Sequence, residues 1–435
     1  MKSLALFTIV LLLALPASPQ RLDSLDRERA QVMLENVASD VRKYYYDPKL
    51  HGVDWDARVK EATENIAKAT SWDAAILDIA AALETLGDSH TLFFPSGDPI
   101  REDYGWQFQL VGNHCYVTHV RPKSDPEARG LKPGDEVLTI NGFTPTREGL
   151  NKMEYVLKML LPQSSLRVEL RDPSGKIRPV DVKARVRQAR QVTEFDDLTG
   201  RDRWGLRLEG EDQRRLMRAQ YKDLGHGLMI LKLPAFSVTD LDAQEMIGKA
   251  HKHSALILDL RGNEGGAESG LQDLLSSVFE IDVKIADRVG RETTKPVVAK
   301  SSHRNAFTGK LIVLVDSGSA SAAELFARVV QLEKRGTVLG DRTSGRVMEA
   351  KYYDHRTGLN PIFFYGTLVA DADLVMADGK SLEHVGVIPD ETIVPTATDL
   401  ANGRDPVMSR AAEMTGVTLT PSEAGKLFPY EWPKN

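Results

Sequence analysis

The chain of 435 residues contains one cysteine, Cys115. A single thiol closes no intramolecular disulfide and supplies no Cys-rich zinc or iron–sulfur site. Basic residues are not in excess: 56 Lys and Arg face 62 Asp and Glu, for a formal charge of −6. The basic face that marks a nucleic-acid partner is therefore lacking. No apolar run reaches the roughly 20 residues of a membrane-spanning helix, so no stable span is expected. The sequence has no His-Glu-x-x-His, the zinc-peptidase pattern. His251 and His253 are two apart and do not share a helix face, and His114 and His119 read as surface residues of a sheet. Neither a metal nor an organic cofactor is expected. What remains, 42% hydrophobic and 27% charged residues, is ordinary globular composition. At roughly 100–200 residues per domain, the length predicts two to four domains.

Residues 1–20 read as a secretory signal peptide. Lys2 precedes an apolar core from Leu4 to Leu15, and Pro16-Ala17-Ser18 forms a small-residue exit. Cleavage falls between Ala17 and Gln20, and an uncleaved anchor is the competing reading. No cysteine follows the run, which argues against a lipoprotein. The expectation is export, to a periplasm or the medium.

Hydrophobic spacing then divides the chain. Residues 23–98 are expected to be a helical domain, with apolar stripes at Met33, Val37, Val41 and Tyr44, then Trp55, Val59, Ala62 and Ile66, then Trp72, Ile76, Ile79 and Leu83. Ser71 stands as a cap and Gly87 as a stop. Residues 101–187 alternate as short strands, at Trp106–Val111, Cys115–Val120, Glu136–Ile140 and Leu166–Arg171, with one helix over Glu148–Met159. Residues 188–226 are charged and aperiodic and read as a linker. From 227 to 400 strands and helices alternate, the pattern of an α/β core with parallel central strands. Residues 401–435 form a C-terminal extension.

Within the second unit, Gly130-Leu131-Lys132-Pro133-Gly134-Asp135-Glu136 and the following Val137 to Gly142 resemble the PDZ signature. The same glycines and proline are good turn chemistry in any small β-domain. PDZ domains bind an extended peptide by strand addition. By this resemblance the loop that holds a peptide carboxylate is Tyr104-Gly105-Trp106.

Ligands gather outside the carboxyl ends of parallel strands, and two strand ends in the core are unusual. The first runs Leu258-Asp259-Leu260-Arg261-Gly262-Asn263-Glu264-Gly265-Gly266. Glycines permit close backbone approach and can present N–H groups to an anion. Phosphate loop, oxyanion hole and simple turn all use such an exit, but the Gly-Lys-Ser/Thr ending of a nucleotide loop is missing. The second runs Val315-Asp316-Ser317-Gly318-Ser319-Ala320-Ser321-Ala322-Ala323-Glu324. A serine at a tight strand-to-helix turn gains as a nucleophile from the helix N-terminus. Ser321 with Glu324 is equally a capping box.

Together these two segments and the units around them resemble the family of C-terminal-processing peptidases and tricorn protease. The resemblance covers most of the chain after residue 20. It implies a multidomain α+β protein: an N-terminal helical bundle, a PDZ-like β-domain and a crotonase-like α/β catalytic core. Leu258–Gly266 is similar to the family's "DLRGNGGG", with Glu264 in place of a glycine, and Leu314–Glu324 to its "LVDxGSASASE". The alignment places the nucleophile on Ser321 and the oxyanion donors on the backbone N–H groups of Gly266 and Ala322. The processing peptidases take the serine proton with a lysine of a "GK" pair. Here Thr343-Ser344-Gly345-Arg346 fills that stretch, and a guanidinium has no lone pair to act as a base. Lys351 could serve only with a loop insertion. The tricorn branch instead uses a histidine in a "SH" pair, matched by Ser89-His90, and a glutamate near a "GV-PD" exit, matched by Glu383 before Gly386-Val387-Ile388-Pro389-Asp390. The resemblance thus implies His90 as base, oriented by Ser89 and Glu383. His90 also reads more simply as a helix-end residue held by Asp88. Arg346 becomes structural or binds a substrate carboxylate.

The expected function is an exported serine endopeptidase acting on extended or unfolded polypeptides, with the PDZ-like domain docking peptide or gating access. The alternative is an inactive peptide- or apolar-ligand-binding protein on the same scaffold. An acyl-CoA enzyme fits the core but not the leader or the PDZ-like unit. Self-association is compatible with the sequence.

Overall fold

The structure, a computed structural model, describes residues 22–95, 100–188, 212, 214–236, 240–292, 295–301, 305–358 and 362–434. The expected signal peptide and most of the expected linker lie outside the described residues. No helix among the described residues is long and apolar enough to cross a membrane.

Three helices open the chain, Ser24–Tyr44, Trp55–Lys68 and Trp72–Glu84. Side chains cap their first turns: the Asp23 carboxylate accepts the Asp26 N–H at 2.8 Å, and the Ser71 hydroxyl accepts that of Ala74 at 3.3 Å. Their apolar stripes meet in one cluster that also contains Phe93, Tyr365, Val369 and Ala370. The helices therefore pack on the core as well as on each other. The short strand Leu92–Phe94 completes the join by pairing antiparallel with Gly366–Leu368.

A five-stranded antiparallel sheet follows in sequence order, Trp106–Val111, His114–Val120, Glu136–Ile140, Ser165–Arg171 and Ile177–Lys183. Its fifth strand falls where no strand is expected from the sequence, in a segment with buried residues only at Val180 and Val182. The helix Leu150–Tyr155 continues as one wide turn to Leu160 and covers the sheet. Cys115 is buried in this sheet's core.

The main sheet has six strands in the order Glu391–Thr392, Thr337–Gly340, Lys310–Val315, Ala255–Asp259, Leu228–Lys232 and Gln220–Asp223. All neighbours run parallel except the last pair. Helices Asp240–Ala250, Glu268–Ser276 and Ala322–Leu332 accompany one face. On the other face Val407, Met408, Ala411 and Ala412 of the helix Pro406–Met414 bury Leu228, Ile230 and Ile257. Cover on both faces explains why the strand Ala255–Asp259 reads as an unbroken apolar run up to Leu258. Two expected boundaries differ here. The end of the 188–226 linker supplies the edge strand Gln220–Asp223, and the 401–435 extension supplies a layer of the core. Gln220–Asp223 is too polar and short to show periodicity, whereas Val407, Met408, Ala411 and Ala412 keep helical spacing.

A second core sheet is not foreshadowed by the sequence. Strands Met348–Thr357 and Phe363–Met376 form a long hairpin. Phe363–Met376 also carries Leu92–Phe94 at one end and Val283–Gly290 at the other, and Val297–Ala299 extends the sheet beyond the latter.

Candidate active site

The strand Ala255–Asp259 runs into a loop fixed by polar contacts. Asn263 is fully buried; its amide donates to the Leu233 carbonyl and its side-chain oxygen accepts the Gly265 N–H, both at 2.8 Å. The Asn263 carbonyl accepts the Ala320 N–H at 2.9 Å, which ties this loop to the serine loop. Gly265 has φ +100°, and a Cβ there would meet Ser321 Cβ at 2.7 Å. Gly266 has φ +144°, and its Cβ would meet the Phe236 carbonyl oxygen at 2.7 Å. The exit therefore behaves as a close-approach loop. Glu264, which replaces a glycine of the family pattern, is exposed.

The strand Lys310–Val315 leads through Asp316 to Ser321, whose φ of +53° is rare for a side chain with a Cβ. Two contacts hold it there. Its N–H donates to the Arg346 carbonyl at 2.9 Å and to Glu324 Oε2 at 3.1 Å. Glu324 is fully buried and also accepts the N–H groups of Gly345 at 2.8 Å and Arg346 at 3.0 Å, together with the Thr343 hydroxyl. The capping-box glutamate thus clamps the serine turn to the 343–346 loop. Among the described residues, the Gly266 and Ala322 N–H groups donate to no protein acceptor.

His90 approaches from the first unit. Asp88 Oδ1 accepts the N–H groups of His90 at 2.8 Å and Thr91 at 2.6 Å, and the strand beginning at Leu92 anchors the turn. His90 Nδ1 lies 2.8 Å from Ser89 Oγ, which is 3.0 Å from Glu383 Oε2. Glu383 also accepts the Ser89 N–H at 2.7 Å and the Val347 N–H at 2.8 Å. The Ser89 hydroxyl has one proton and gives it to the carboxylate, so it accepts from Nδ1–H. The lone pair then resides on His90 Nε2. Burial lowers the His90 pKa to about 4; the Asp88 charge opposes this and the Arg346 cation adds to it. Burial also raises the Glu383 pKa, against its hydrogen bonds from Val347 and Ser89.

Ser321, Ala322, Gly266 and His90 line one cavity of about 330 Å³, and Leu271, Val297, Leu325 and Leu374 supply apolar wall. The structure thus brings together Ser321, His90, Ser89, Glu383, Gly266 and Ala322. Arg346 is beside them, with Nε 3.0 Å from Ser344 Oγ. Lys351 is engaged elsewhere, 2.7 Å from Asp371, and that partner raises its pKa. Tyr104, Gly105 and Trp106 lie at the start of the first strand of the antiparallel sheet and do not line the cavity. That sheet nevertheless touches the serine loop: Gln109 Nε2 donates to Asp316 Oδ2 at 2.6 Å, and the Ser317 hydroxyl donates to the Leu110 carbonyl.

The hold of Asp88 on His90 is the one expected from the sequence, whereas the clamp of Glu324 on the 343–346 loop and the buried Asn263 are not foreshadowed there. Glu324 left a signal only in the capping-box spacing, and Asn263 left none. No group of three or more His, Cys, Asp or Glu among the described residues could hold a metal ion.

Comparison with known proteins adds an independent line. The family model described as peptidase family S41 matches residues 227–393, and that of the tricorn protease C1 domain matches residues 26–71. A carboxy-terminal processing protease of Bacillus subtilis is 25% identical over 284 residues, 62% of this chain and 53% of that protein. A protein of Streptomyces coelicolor named as a tricorn protease homolog is 25% identical over 399 residues, 86% of this chain but 31% of its own length. The chain spans about half the length or less of these two curated relatives. Among solved structures, mature CPAF complexed with lactacystin has a TM-score of 0.62 at 16% identity, covering 87% of this chain and 96% of that one. The photosystem II D1 C-terminal processing protease has a TM-score of 0.53 at 18% identity, covering 86% of this chain and 97% of that one. Both likenesses are of fold.

Proposed function

Because the chain belongs to peptidase family S41, that of the C-terminal-processing and tricorn-type enzymes, we propose that it is a serine endopeptidase acting on extended polypeptides. The observation that carries this reading is the hydrogen-bonded run from Glu383 through Ser89 to His90 Nδ1, beside a cavity shared by His90 and Ser321. It supplies a base of the right tautomer without a lysine.

The chemistry follows from those atoms. A peptide carbonyl enters the cavity, and Ser321 Oγ attacks its carbon while the hydroxyl proton passes to His90 Nε2. The oxyanion takes the two unspent N–H groups of Gly266 and Ala322, each contributing about 3–4 kcal/mol to barrier lowering. Ser89 and the Glu383 carboxylate stabilise the imidazolium through Nδ1–H. His90 then protonates the departing amine, the C–N bond breaks, and an acyl-Ser321 ester remains. Water, deprotonated by His90, hydrolyses the ester and restores the serine. Arg346 keeps its proton and acts by charge: it disfavours protonation of His90 and can pair with a substrate carboxylate.

The antiparallel sheet of residues 101–187 serves in this reading as a PDZ-like docking domain. Its first strand, Trp106–Val111, pairs on one side only, so the other edge can take an added strand. Residues 1–20 act as the export signal.

Hydrolysis of a fluorescein-labelled unfolded protein tests the reading. Ser321→Ala and His90→Ala each abolish turnover, whereas Arg346→Ala leaves much of it. A fluorophosphonate labels the parent chain and not Ser321→Ala. Full activity in His90→Ala would refute the assignment, and an unlabelled, inactive parent that still binds peptide would make the chain a binding protein.

A further inference from the structure

We infer that the sheet edge at Trp106–Val111 takes internal stretches of polypeptide and turns away a free C-terminal carboxylate, because the Asp103 carboxylate already accepts the Gly105 N–H at its start. The inference rests on the reading of that sheet as a peptide-docking domain.

A strand added to a sheet edge is held by backbone hydrogen bonds, which any extended segment can make. Selection of a chain end requires something more, namely backbone N–H groups left open where the terminal carboxylate arrives. The turn entering Trp106–Val111 is Asp103-Tyr104-Gly105-Trp106. Its glycine has φ +69° and lies tight against Ser124, whose Cβ would be 3.0 Å from a Cβ at Gly105. The Gly105 N–H points back and donates to Asp103 Oδ1 at 3.0 Å. The Gly105 carbonyl accepts the Arg121 N–H at 2.8 Å, so the turn is pinned from both sides.

Charge argues in the same direction. The second Asp103 oxygen forms an ion pair with the Arg121 guanidinium, so that cation is already matched by one anion. Arg121 Nε and Nη2 have no hydrogen-bond partner, but both atoms are buried. Trp432 lies over the guanidinium, with 4.6 Å from Cζ to the ring centroid. Tyr430 fastens the same C-terminal segment by stacking on His119 at 4.2 Å between centroids. A chain end would have to displace Asp103 from Gly105 and leave two carboxylates side by side. An internal segment asks for none of this. The preference suits an enzyme that cuts within unfolded chains.

The test uses the full chain carrying Ser321→Ala, so that probes are bound and not cut. The probes are fluorescein-labelled decapeptides with Ala, Val, Leu and Phe mixed over the last four positions, made as free acids and as C-terminal amides. Fluorescence polarisation is expected to give the acid no advantage over the amide. Asp103→Gly frees the Gly105 N–H and shifts the acid-to-amide affinity ratio at least about tenfold toward the acid. Asp103→Asn keeps an acceptor but removes the charge, and shifts the ratio less. A parent chain that binds the acid about tenfold more tightly overturns the inference, as does an unchanged ratio in Asp103→Gly with its melting temperature intact. Binding of neither peptide removes the docking reading and the inference with it. Hydrolysis by the chain with Ser321 intact is measured separately, so peptidase activity stands or falls on its own.

Discussion

Gly265 and Ser321 are packed so closely that a methyl group on the glycine would lie 2.7 Å from the serine Cβ and 3.0 Å from the Ala322 nitrogen. One added carbon would therefore push on both the proposed nucleophile and a proposed oxyanion donor. Gly265→Ala also demands a φ of +100° from a residue with a Cβ. The expected result is a fall in kcat of about a hundredfold or more, the scale of losing an oxyanion donor. Steady-state kinetics with a thermal melt check it: kcat should collapse much further than the melting temperature.

The depressed pKa of His90 sets the pH dependence. In the proposed mechanism the neutral imidazole is the base, so the acid limb of kcat/KM should lie near pH 4, not near the ordinary 6.5. Arg346→Gln removes a cation that disfavours protonation and moves the limb upward. Asp88→Asn removes an anion that favours it and moves the limb down. Stability follows the same linkage. Between about 4 and 6.5 the unfolded chain binds this proton and the folded chain does not, so stability falls as the pH drops through that window. A pH series of initial rates for the three proteins decides the signs.

Glu383 accepts three hydrogen bonds that place Ser89 and Val347 as well as polarising the relay to His90. Glu383→Gln keeps the size and removes the charge that stabilises the imidazolium. Serine triads that lose their orienting carboxylate drop by up to about ten-thousandfold in kcat, and a loss of at least about a hundredfold is expected here. Ser89→Ala takes away the acceptor of Nδ1–H and should also lower kcat, with KM little changed. A KM effect alone in both variants would point to a structural role.

Arg261 bridges Asp259 and Asp405, with four contacts between 2.7 and 2.9 Å. Asp259 is buried at the end of a central strand, and Asp405 caps the helix Pro406–Met414 through the Met408 N–H at 2.9 Å. Arg261→Ala leaves a buried carboxylate without its partner, which costs about 3–5 kcal/mol. Urea unfolding should show this loss, and Asp259→Asn in the same chain should recover part of it.

Much of the site could be read from the residues. The two strand exits, the Ser-His pair and Glu383 are contiguous short motifs whose chemistry is local, and the structure brings Gly266, Ser321 and His90 to one cavity with Ser89 and Glu383 hydrogen-bonded behind His90. The sheet that carries His90 was hidden. Its long hairpin exposes Tyr352 and Phe364 while burying Tyr365, and its register shifts between Glu349 and Ala350, so clean alternation survives only from Ala370 to Met376. The linker between the second and third units misled for a related reason. Gln220–Asp223 is polar because it is an edge strand with little to bury, and polarity alone looks like a loop.

Ser89 and Glu383 touch across a separation of 294 residues. A contact of that span closes late, because the intervening chain must give up its freedom first. The relay is therefore among the last parts of the molecule to exist, and a half-folded copy holds a serine without a working base. On the proposed mechanism timing thus becomes a safeguard: peptidase activity waits until folding is essentially complete.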